Sequence, residues 1–243
     1  MKKRRKKKHR IKKRIFTVLL VSFLVLVGVG TFWGIKGYEM YHEVISGEGI
    51  PERVEEIRNM ENFTAYSELP QFYIQATVSV EDHRFKKHCG IDLLAIGRAM
   101  WRNIEAMDFV EGGSTITQQF AKNLLFTQEK SMERKAAEVF AALEIEALYT
   151  KEEIFELYVN TIYFGNGYYG IYQAAMGYYE KTPMELTKFE SAMLAGLPNA
   201  PSVYSAEENR ELAEQRVAQV LRSMVNNGVI TQKEVEEVWE ENY

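Results

Sequence analysis

Four polar clusters lie within about a hundred residues, and their residue types could carry out proton transfer and anion binding. They are Glu81-Asp82-His83-Arg84-Phe85, the Gly-Gly-Ser-Thr-Ile-Thr-Gln-Gln run at 112–119, Arg134-Lys135 with Glu138, and Glu156 with Asn160. Carboxylates can take a proton from a reacting group, and cations can hold a phosphate. The clusters therefore suggest acid–base chemistry beside a phosphate site.

The glycine-rich cluster predicts a helix start that could bind an anion. Gly112 and Gly113 let the chain approach a ligand closely, and Ser114 or Thr115 is expected to cap the helix. Backbone N–H groups at such a start favour a negative charge. Lys122 lies eight residues after Ser114, near the same face and about 12 Å further along. A pyrophosphate-bearing substrate could touch both only if it is extended or if Lys122 bends back. Taken alone, this pattern is more typical of a capped surface helix with a solvated lysine.

The other clusters also have ordinary interpretations. Arg134 and Glu138 are four residues apart and can pair on one helix face, with Lys135 beside them, as in many surface salt bridges. Isolated carboxylates such as Glu81 are more often solvated than catalytic. The sequence has no HExxH or CxxC spacing that would support a metal-centred mechanism. Only the combination of clusters favours a catalytic site.

The N-terminal segment is typical of a membrane anchor. Residues 1–14 contain eleven Lys or Arg and no acid, and residues 15–35 are 21 residues without a charge. That run can cross about 30 Å of hydrocarbon. Because positive residues stay inside, we expect a basic cytoplasmic tail over 1–14, a transmembrane helix over 15–36 and an extracytoplasmic domain over 37–243. The alternative is a cleaved signal peptide, for which the apolar run is too long.

The charge balance disfavours a nucleic-acid role. The tail holds 11 of the 30 Lys and Arg residues and none of the 34 Asp and Glu residues, so the remainder is acidic. A nucleic-acid interface would need a basic face on the folded domain. The tail is better explained as a topology signal and a contact for anionic lipid.

Cys89 is the single cysteine, so an intrachain disulfide is excluded and packing must supply the stability.

Hydrophobic spacing predicts a helix-rich domain. Residues 72–80 fit either a strand or a helix face, and residues 38–66 predict amphipathic or partly irregular structure near the membrane surface. The predicted helices cover residues 93–104, 114–125, 131–149, 154–163, 184–197 and 212–225.

The joint order of the clusters resembles the signatures of the peptidoglycan glycosyltransferases, the family 51 glycosyltransferases of bacterial cell-wall synthesis. The resemblance covers about residues 65–230. Its five motifs lie, in the family's order, at residues 81–92, 112–123, 134–138, 156–165 and 190–198.

The resemblance implies a mainly α, lysozyme-like fold with a membrane-proximal lobe, preceded by one transmembrane helix. It implies that the substrate is lipid II, a disaccharide-pentapeptide on undecaprenyl pyrophosphate, which the family polymerises with inversion as the pyrophosphate leaves. By position, Glu81 is the expected general base and Glu138 the second important carboxylate. Lys122, Arg134 and Lys135 are the expected pyrophosphate contacts. The residues expected to shape the cleft are Ser114, Thr115, Gln118, Gln119 and Asn123.

These implied roles agree with the residue chemistry. A sugar hydroxyl is a poor nucleophile, so a carboxylate must take its proton, and fixed cations can stabilise the departing pyrophosphate. No cofactor is required on this basis. A divalent cation, Mg²⁺ or Mn²⁺, that bridges phosphate oxygens is left open, because the family sometimes uses one. The expected partners are lipid II, the growing glycan strand and the membrane.

The chain also differs from the family pattern. The segment 199–204 is followed by Ser205-Ala206, where the family more often has a proline-bearing loop, and no Ser-x-x-Lys motif of a penicillin-binding module is present. We therefore expect no transpeptidase activity, with crosslinking supplied by penicillin-binding proteins or other wall-synthesis proteins.

The rival functions are a muramidase or lytic transglycosylase of the same shape, and a non-catalytic membrane scaffold. Because Asp82 and Arg84 flank Glu81 and cations face it, we expect a base rather than a protonated acid.

Overall fold

The computed structural model describes residues 2–108, 112–127, 129, 131–199 and 210–241. Within these ranges the chain forms α-helices and short 3₁₀ turns, and its one β-type pairing is an isolated bridge between Tyr163 and Tyr169. The expected mainly α fold is confirmed. The helices are α1 Lys2–Ile45, α2 Ile50–Arg58, α3 Gln71–Glu81, α4 Leu93–Ala106, α5 Ile116–Leu125, α6 Met132–Leu148, α7 Lys151–Thr161, α8 Ile171–Tyr179, α9 Lys188–Gly196, α10 Arg210–Asn226 and α11 Gln232–Glu240.

The core of the domain surrounds α3, which resolves the ambiguity at residues 72–80. Both α9 and α10 pack against α3, and α5 packs against α6 and α7. Tyr73, Ala76 and Thr77 are completely buried. Because this helix is buried on more than one side, its apolar residues occur at strand-like as well as helix-like spacings.

Three helices were missed by the sequence prediction. Pro51 lies at the start of α2, and α11 begins with a reciprocal cap between Thr231 and Glu234, so both starts carry recognisable signals. Helix α8 has no side-chain cap and begins at Gly170, whose φ is +83°. Its Gly177 leaves room for the Tyr168 ring, which a Cβ atom would overlap. Tertiary packing therefore stabilises α8 more than its own sequence does.

Two further expectations concern segment boundaries. Helix α7 begins at Lys151, three residues before the predicted start, because Thr150 and Glu153 form a capping box. The unusual loop at residues 199–206 lies, from residue 200 onward, outside the described part of the chain.

Helix α1 continues past the expected end of the membrane span at residue 36. One segment of it, Lys12–Ile45, is long and apolar enough to cross a membrane, and an 18-residue window within it has a mean hydropathy of 2.6. Its apolar side chains between Ile15 and Ile35 are exposed on the protein. The helix then runs without a break to Ile45 and packs along α6. Residues 38–45 are therefore part of a helix that joins the candidate span to the domain.

Gly37 marks the closest approach between α1 and α6. A Cβ atom at this position would lie 2.7 Å from the backbone carbonyl carbon of Ala136 and 2.7 Å from the backbone nitrogen of Ala137. Real Cβ atoms do not approach backbone atoms so closely, so only glycine fits without movement of a helix. Nearby, the Tyr38 ring packs edge-on against Phe140, with 5.4 Å between the ring centroids. Helix α1 is thus docked directly on α6.

We predict that Gly37→Leu separates α1 from α6 and lowers the free energy of unfolding by about 2 kcal/mol, a typical cost of overpacking. Thermal unfolding in detergent solution measures the change. Gly34→Leu is the matched control, because a Cβ atom at Gly34 meets nothing within 4 Å. Both substitutions raise helix propensity equally, so the difference in Tm between the two variants isolates the contact. Equal values of Tm would contradict the close docking.

Candidate functional site

A single cavity of about 1030 Å³ brings together most of the residues that the sequence singled out. Its walls come from the C-terminal end of α3, from α4, from the segment before α5, and from α5, α6 and α10. Eight of the ten predicted site residues line it: Glu81, Ser114, Gln118, Gln119, Lys122, Arg134, Lys135 and Glu138. Thr115 and Asn123 are not among the lining residues.

Glu81 is the last residue of α3 and points into the cavity. Its Oε2 accepts a hydrogen bond of 2.8 Å from Gln119 Nε2. Its Oε1 is buried and has no hydrogen-bond partner among the described residues. Burial raises the pKa of Glu81, while the bond from Gln119 and the charges of Arg216 and Lys122 oppose that rise. Gln119 thus holds one oxygen, and the other has no such bond.

The sequence neighbours of Glu81 do not hold its pKa down as expected. Arg84 turns away and pairs with Asp92, with 2.8 Å between Arg84 Nε and Asp92 Oδ2. Asp82 acts in the opposite direction and raises the pKa of Glu81 further, although burial remains the largest cause. The flanking residues therefore give no argument for a base over an acid, and this part of the sequence interpretation is wrong. An argument for the base must come from the charges of Arg216 and Lys122, which lower the pKa of Glu81.

Asp82 joins the end of α3 to the start of α5. Its Oδ2 accepts a 3.1 Å hydrogen bond from the backbone nitrogen of Ile116 and lies 2.9 Å from His88 Nε2. Thr115 Oγ1 accepts from the backbone nitrogen of Gln118, and Gln118 Oε1 accepts from the backbone nitrogen of Thr115. The N–H groups of Ile116 and Gln118 are therefore used within the protein, and the expectation that this helix start offers them to an anion is wrong.

Helix α6 supplies a group of charges around a buried carboxylate. Glu138 is only 1% exposed, and its Oε2 lies 2.6 Å from Lys135 Nζ. Its Oε1 lies 3.3 Å from Arg134 Nη1, which confirms the predicted pairing on one helix face. Lys135 Nζ also donates to Ser114 Oγ at 2.8 Å. Lys135 therefore connects α6 to the glycine-rich segment across the cavity.

Lys122 faces this group from α5. Burial lowers the pKa of Lys122, the charge of Glu138 opposes the change, and Arg134 and Lys135 lower the pKa further. Lys122, Arg134 and Lys135 thus face the cavity around Glu138, and three further arginines also line it: Arg98, Arg102 and Arg216. A pyrophosphate placed among them would relieve their mutual repulsion, so the arrangement favours a polyanion.

Helix α10 adds a wall that the sequence interpretation missed. Arg216, Gln219, Ser223, Asn226 and Asn227 line the cavity. The Nε of Arg216, a residue only 4% exposed, donates to the carbonyl oxygen of Gly196 at 2.9 Å, and its charge acts on Glu81. Positions 216, 219 and 223 have i, i+3, i+7 spacing. This regularly spaced polar stripe on an amphipathic helix was the signal that could have revealed them.

The fourth polar cluster stabilises the fold outside the cavity. Asn160 Nδ2 donates to the carbonyl oxygen of Thr64, and Asn160 Oδ1 accepts from the backbone nitrogen of Thr64. Glu156 Oε2 accepts from the backbone nitrogen of Tyr66 at 2.6 Å. These bonds fasten the segment before α3 to α7.

The described residues do not form a resident metal site. They contain no group of three or more His, Cys, Asp or Glu side chains placed to hold an ion. Mg²⁺ in phosphate sites is usually held by one or two carboxylates together with substrate phosphates. Of the cavity carboxylates, Glu138 already pairs with Lys135 and Arg134. That pairing does not fit a carboxylate that would hold Mg²⁺ or Mn²⁺.

A helical domain with a buried carboxylate and facing cations in one cavity is suited to group transfer from a phosphate-bearing substrate. Comparison with known proteins gives the family. The family described as "Transglycosylase" matches residues 50–225. The chain therefore belongs to the transglycosylase family, the peptidoglycan glycosyltransferases whose motifs it carries, and its all-helical architecture is the lysozyme-like fold expected from them.

Several relatives are penicillin-binding proteins. Penicillin-binding protein 1F of Bacillus subtilis is 38% identical over 236 residues, covering 94% of this chain and 33% of that protein. Penicillin-binding protein 1A of Aquifex aeolicus is 45% identical over 175 residues, covering 72% of this chain and 24% of that protein. The crystal structure of penicillin-binding protein 1A from Haemophilus influenzae is 28% identical and covers 51% of this chain and 15% of that one, with a TM-score of 0.34. The chain thus spans at most about a third of the length of these relatives.

We predict that Glu138→Gln destabilises the domain, because it removes the carboxylate that separates two cations at a buried position. Loss of one partner from a buried pair typically costs about 3 kcal/mol, and solvent near the half-exposed Lys135 reduces this to about 2 kcal/mol. Urea unfolding measures the difference. Glu237→Gln removes the exposed partner of Lys233 and should change stability by less than about 0.5 kcal/mol. A loss at Glu138 as small as the loss at Glu237 would contradict the pairing.

Proposed function

We propose that this domain polymerises lipid II into peptidoglycan glycan strands by inverting glycosyl transfer, with release of undecaprenyl pyrophosphate. The observation that carries the proposal is the shared cavity, in which Glu81 lies with Lys122, Arg134 and Lys135. A carboxylate that can accept a proton and cations that can receive a diphosphate are the two requirements of this transfer. Family membership gives the reaction class, and the cavity supports the assignment of roles.

Glu81 is the proposed general base. As the new glycosidic bond forms, the hydroxyl oxygen of one sugar attacks the anomeric carbon of the other, and its proton passes to Glu81. Oε1 is the oxygen proposed to take that proton, because Oε2 is already bonded to Gln119. A raised pKa makes the carboxylate a stronger base, since catalytic efficiency rises as the pKa of the base approaches the working pH.

Lys122, Arg134 and Lys135 are the proposed contacts of the leaving group. The bond between the anomeric carbon and the pyrophosphate oxygen breaks, and negative charge collects on the departing pyrophosphate. Cations held in place before the reaction stabilise that charge without further reorganisation. Glu138 is proposed to hold Arg134 and Lys135 in position, as its two ion pairs with them support. Ser114 contributes through its bond to Lys135.

The same domain would work at the outer face of a membrane. The basic tail would lie in the cytoplasm, the apolar part of α1 would cross the bilayer, and the catalytic domain would face outward. Confinement of the enzyme and its lipid-linked substrates to one surface raises their effective concentration. The 243 residues contain no Ser-x-x-Lys motif, so we assign no peptide crosslinking to them and propose that other wall-synthesis proteins supply it.

A hydrolase of the same shape is the main alternative. A muramidase or lytic transglycosylase also needs a carboxyl group with a raised pKa, so Glu81 alone does not distinguish the classes. A hydrolase releases no diphosphate, however, and would have no use for three cations facing the carboxylate. The cation group therefore favours glycosyl transfer from a pyrophosphate.

The experiment that tests the function is incubation of the purified protein with labelled lipid II in detergent or vesicles. Glycan chains of growing length, separated by gel electrophoresis, would support the proposal. Breakdown of preformed peptidoglycan without polymer would assign the hydrolase function instead. Failure of both reactions would favour a scaffold.

We predict that Glu81→Gln lowers polymerisation by at least about a hundredfold, the usual contribution of a positioned base. Binding of lipid II should change little, because the amide keeps the size of the carboxyl group. Single-turnover polymerisation and equilibrium binding separate the two effects. Glu55→Gln, at an exposed carboxylate on α2, is the control and should keep full activity. Near-normal chain growth by the Glu81 variant would reject the base assignment.

A further inference from the structure

A hydrogen-bonded chain runs from the proposed base into the protein core through three helices. Glu81 on α3 accepts from Gln119 Nε2 on α5 at 2.8 Å. Gln119 Oε1 in turn accepts from the hydroxyl group of Tyr158 on α7, at the longer distance of 3.4 Å. Tyr158 is completely buried and does not line the cavity. This chain connects the first, second and fourth motifs.

The direction of each bond in this chain matters. A glutamine side chain can present either its carbonyl oxygen or its NH₂ group to a neighbour. If Oε1 faced Glu81, two oxygen atoms would face each other and the charged carboxylate would be destabilised. A tyrosine hydroxyl that donates to Oε1 keeps the NH₂ group directed at Glu81. The hydrogen bond from Tyr158 thus supports the orientation of the Gln119 amide that its bond to Glu81 needs.

We propose that Tyr158 is a positioning residue for the glycosyl transfer: its hydroxyl fixes the Gln119 amide so that the amide donates to Glu81 and keeps this carboxylate oriented and charged. The inference rests on the proposed function of Glu81 and extends it to a residue that would not touch the substrate. It also gives the fourth motif a part in the chemistry, beyond the structural bonds of Glu156 and Asn160.

The surroundings of Tyr158 suit this task. Burial raises the pKa of Tyr158 well above its usual value, so its hydroxyl keeps its proton and remains a donor over the working pH range. The ring lies beside Phe155, with 6.3 Å between the ring centroids. A fully buried ring has little freedom to move the hydroxyl away from Gln119.

Other groups also act on the charge of Glu81. Lys122 faces it from α5 and Arg216 from α10, and both lower its pKa, while the neighbouring Asp82 raises it. Tyr73 lies about two turns before Glu81 on α3 itself. The buried residues that α9 presents, Phe189 and 191–196, are uncharged. A change at Tyr158 leaves all of these groups in place, so its effect on Glu81 would pass through Gln119.

The proposal predicts the sign of a pH effect. Gln119 favours the charged form of Glu81 and so lowers its pKa. When Tyr158→Phe weakens that donation, the pKa of Glu81 should rise, and a smaller fraction should be ionised at low pH. The acidic limb of the plot of kcat/KM against pH should therefore move to higher pH. Activity should fall about threefold on that limb and approach the wild-type value as the pH rises.

The test measures lipid II polymerisation across pH for the full chain and for Tyr158→Phe. Tyr178→Phe is the matched control, since it removes a tyrosine bond to the carbonyl oxygen of Phe164 on another side of the domain. The control should leave the acidic limb in place. A loss of activity in Tyr158→Phe that is the same at every pH, or an unchanged profile, would overturn the positioning role.

A double-mutant cycle distinguishes a positioning role of Tyr158 from a loss of activity that is caused by poor folding. Gln119→Met keeps the length of the side chain and removes the donor, so it should shift the limb at least as far as Tyr158→Phe. Adding Tyr158→Phe to Gln119→Met should shift it no further, because the two residues act in series. Additive shifts would overturn the proposal. If the wild-type chain makes no polymer, the proposed function fails instead, so the two failures are distinguishable.

Discussion

The site depends on the buried carboxylate of Asp82, which holds the end of one helix against the start of another. It accepts from the backbone nitrogen of Ile116 and lies against His88, so it fixes α3 and α5 together at their ends. Glu81 precedes it by one residue, and Lys122 follows Ile116 within the same helix. The distance between the proposed base and Lys122 is therefore set by a contact that involves neither of them. A buried carboxylate that caps a helix is hard to replace, since a substitution that removes the side-chain oxygens leaves an amide without a partner.

Around that junction the cavity keeps an unusual charge balance. Glu81 is partly buried and has a raised pKa, whereas Lys122 is partly buried and has a lowered one, so both ionised forms cost energy in the absence of substrate. Glu138 offsets part of the repulsion among the cations of α6 but is itself enclosed by them. Such a site is not optimised for its own stability. It is arranged for a ligand that brings two negative charges and a proton to be removed, which is the situation proposed for lipid II.

The sequence predicted the helical class and most of the cavity because both depend on local features. Thr115 and Ser131 are helix caps with clear sequence signals. The motifs contain Glu81, Lys122 and Glu138, and all three line the cavity. Long-range packing decided the rest. Arg84 turns to Asp92 rather than to its neighbour Glu81, and Arg216 comes from a helix more than a hundred residues away. The charge felt by a buried group depends on such distant partners, which adjacency in the sequence does not reveal.

The docking of α1 on α6 has a mechanical consequence. The candidate span continues into the domain with no hinge, and Gly37 sits directly against the residue that follows Lys135. A continuous α-helix advances 1.5 Å per residue and resists bending, so its tilt and rotation in the bilayer are passed on to the helix beside it. Bilayer thickness, which sets that tilt, would thus also set how high above the lipid surface the cations of the cavity are held.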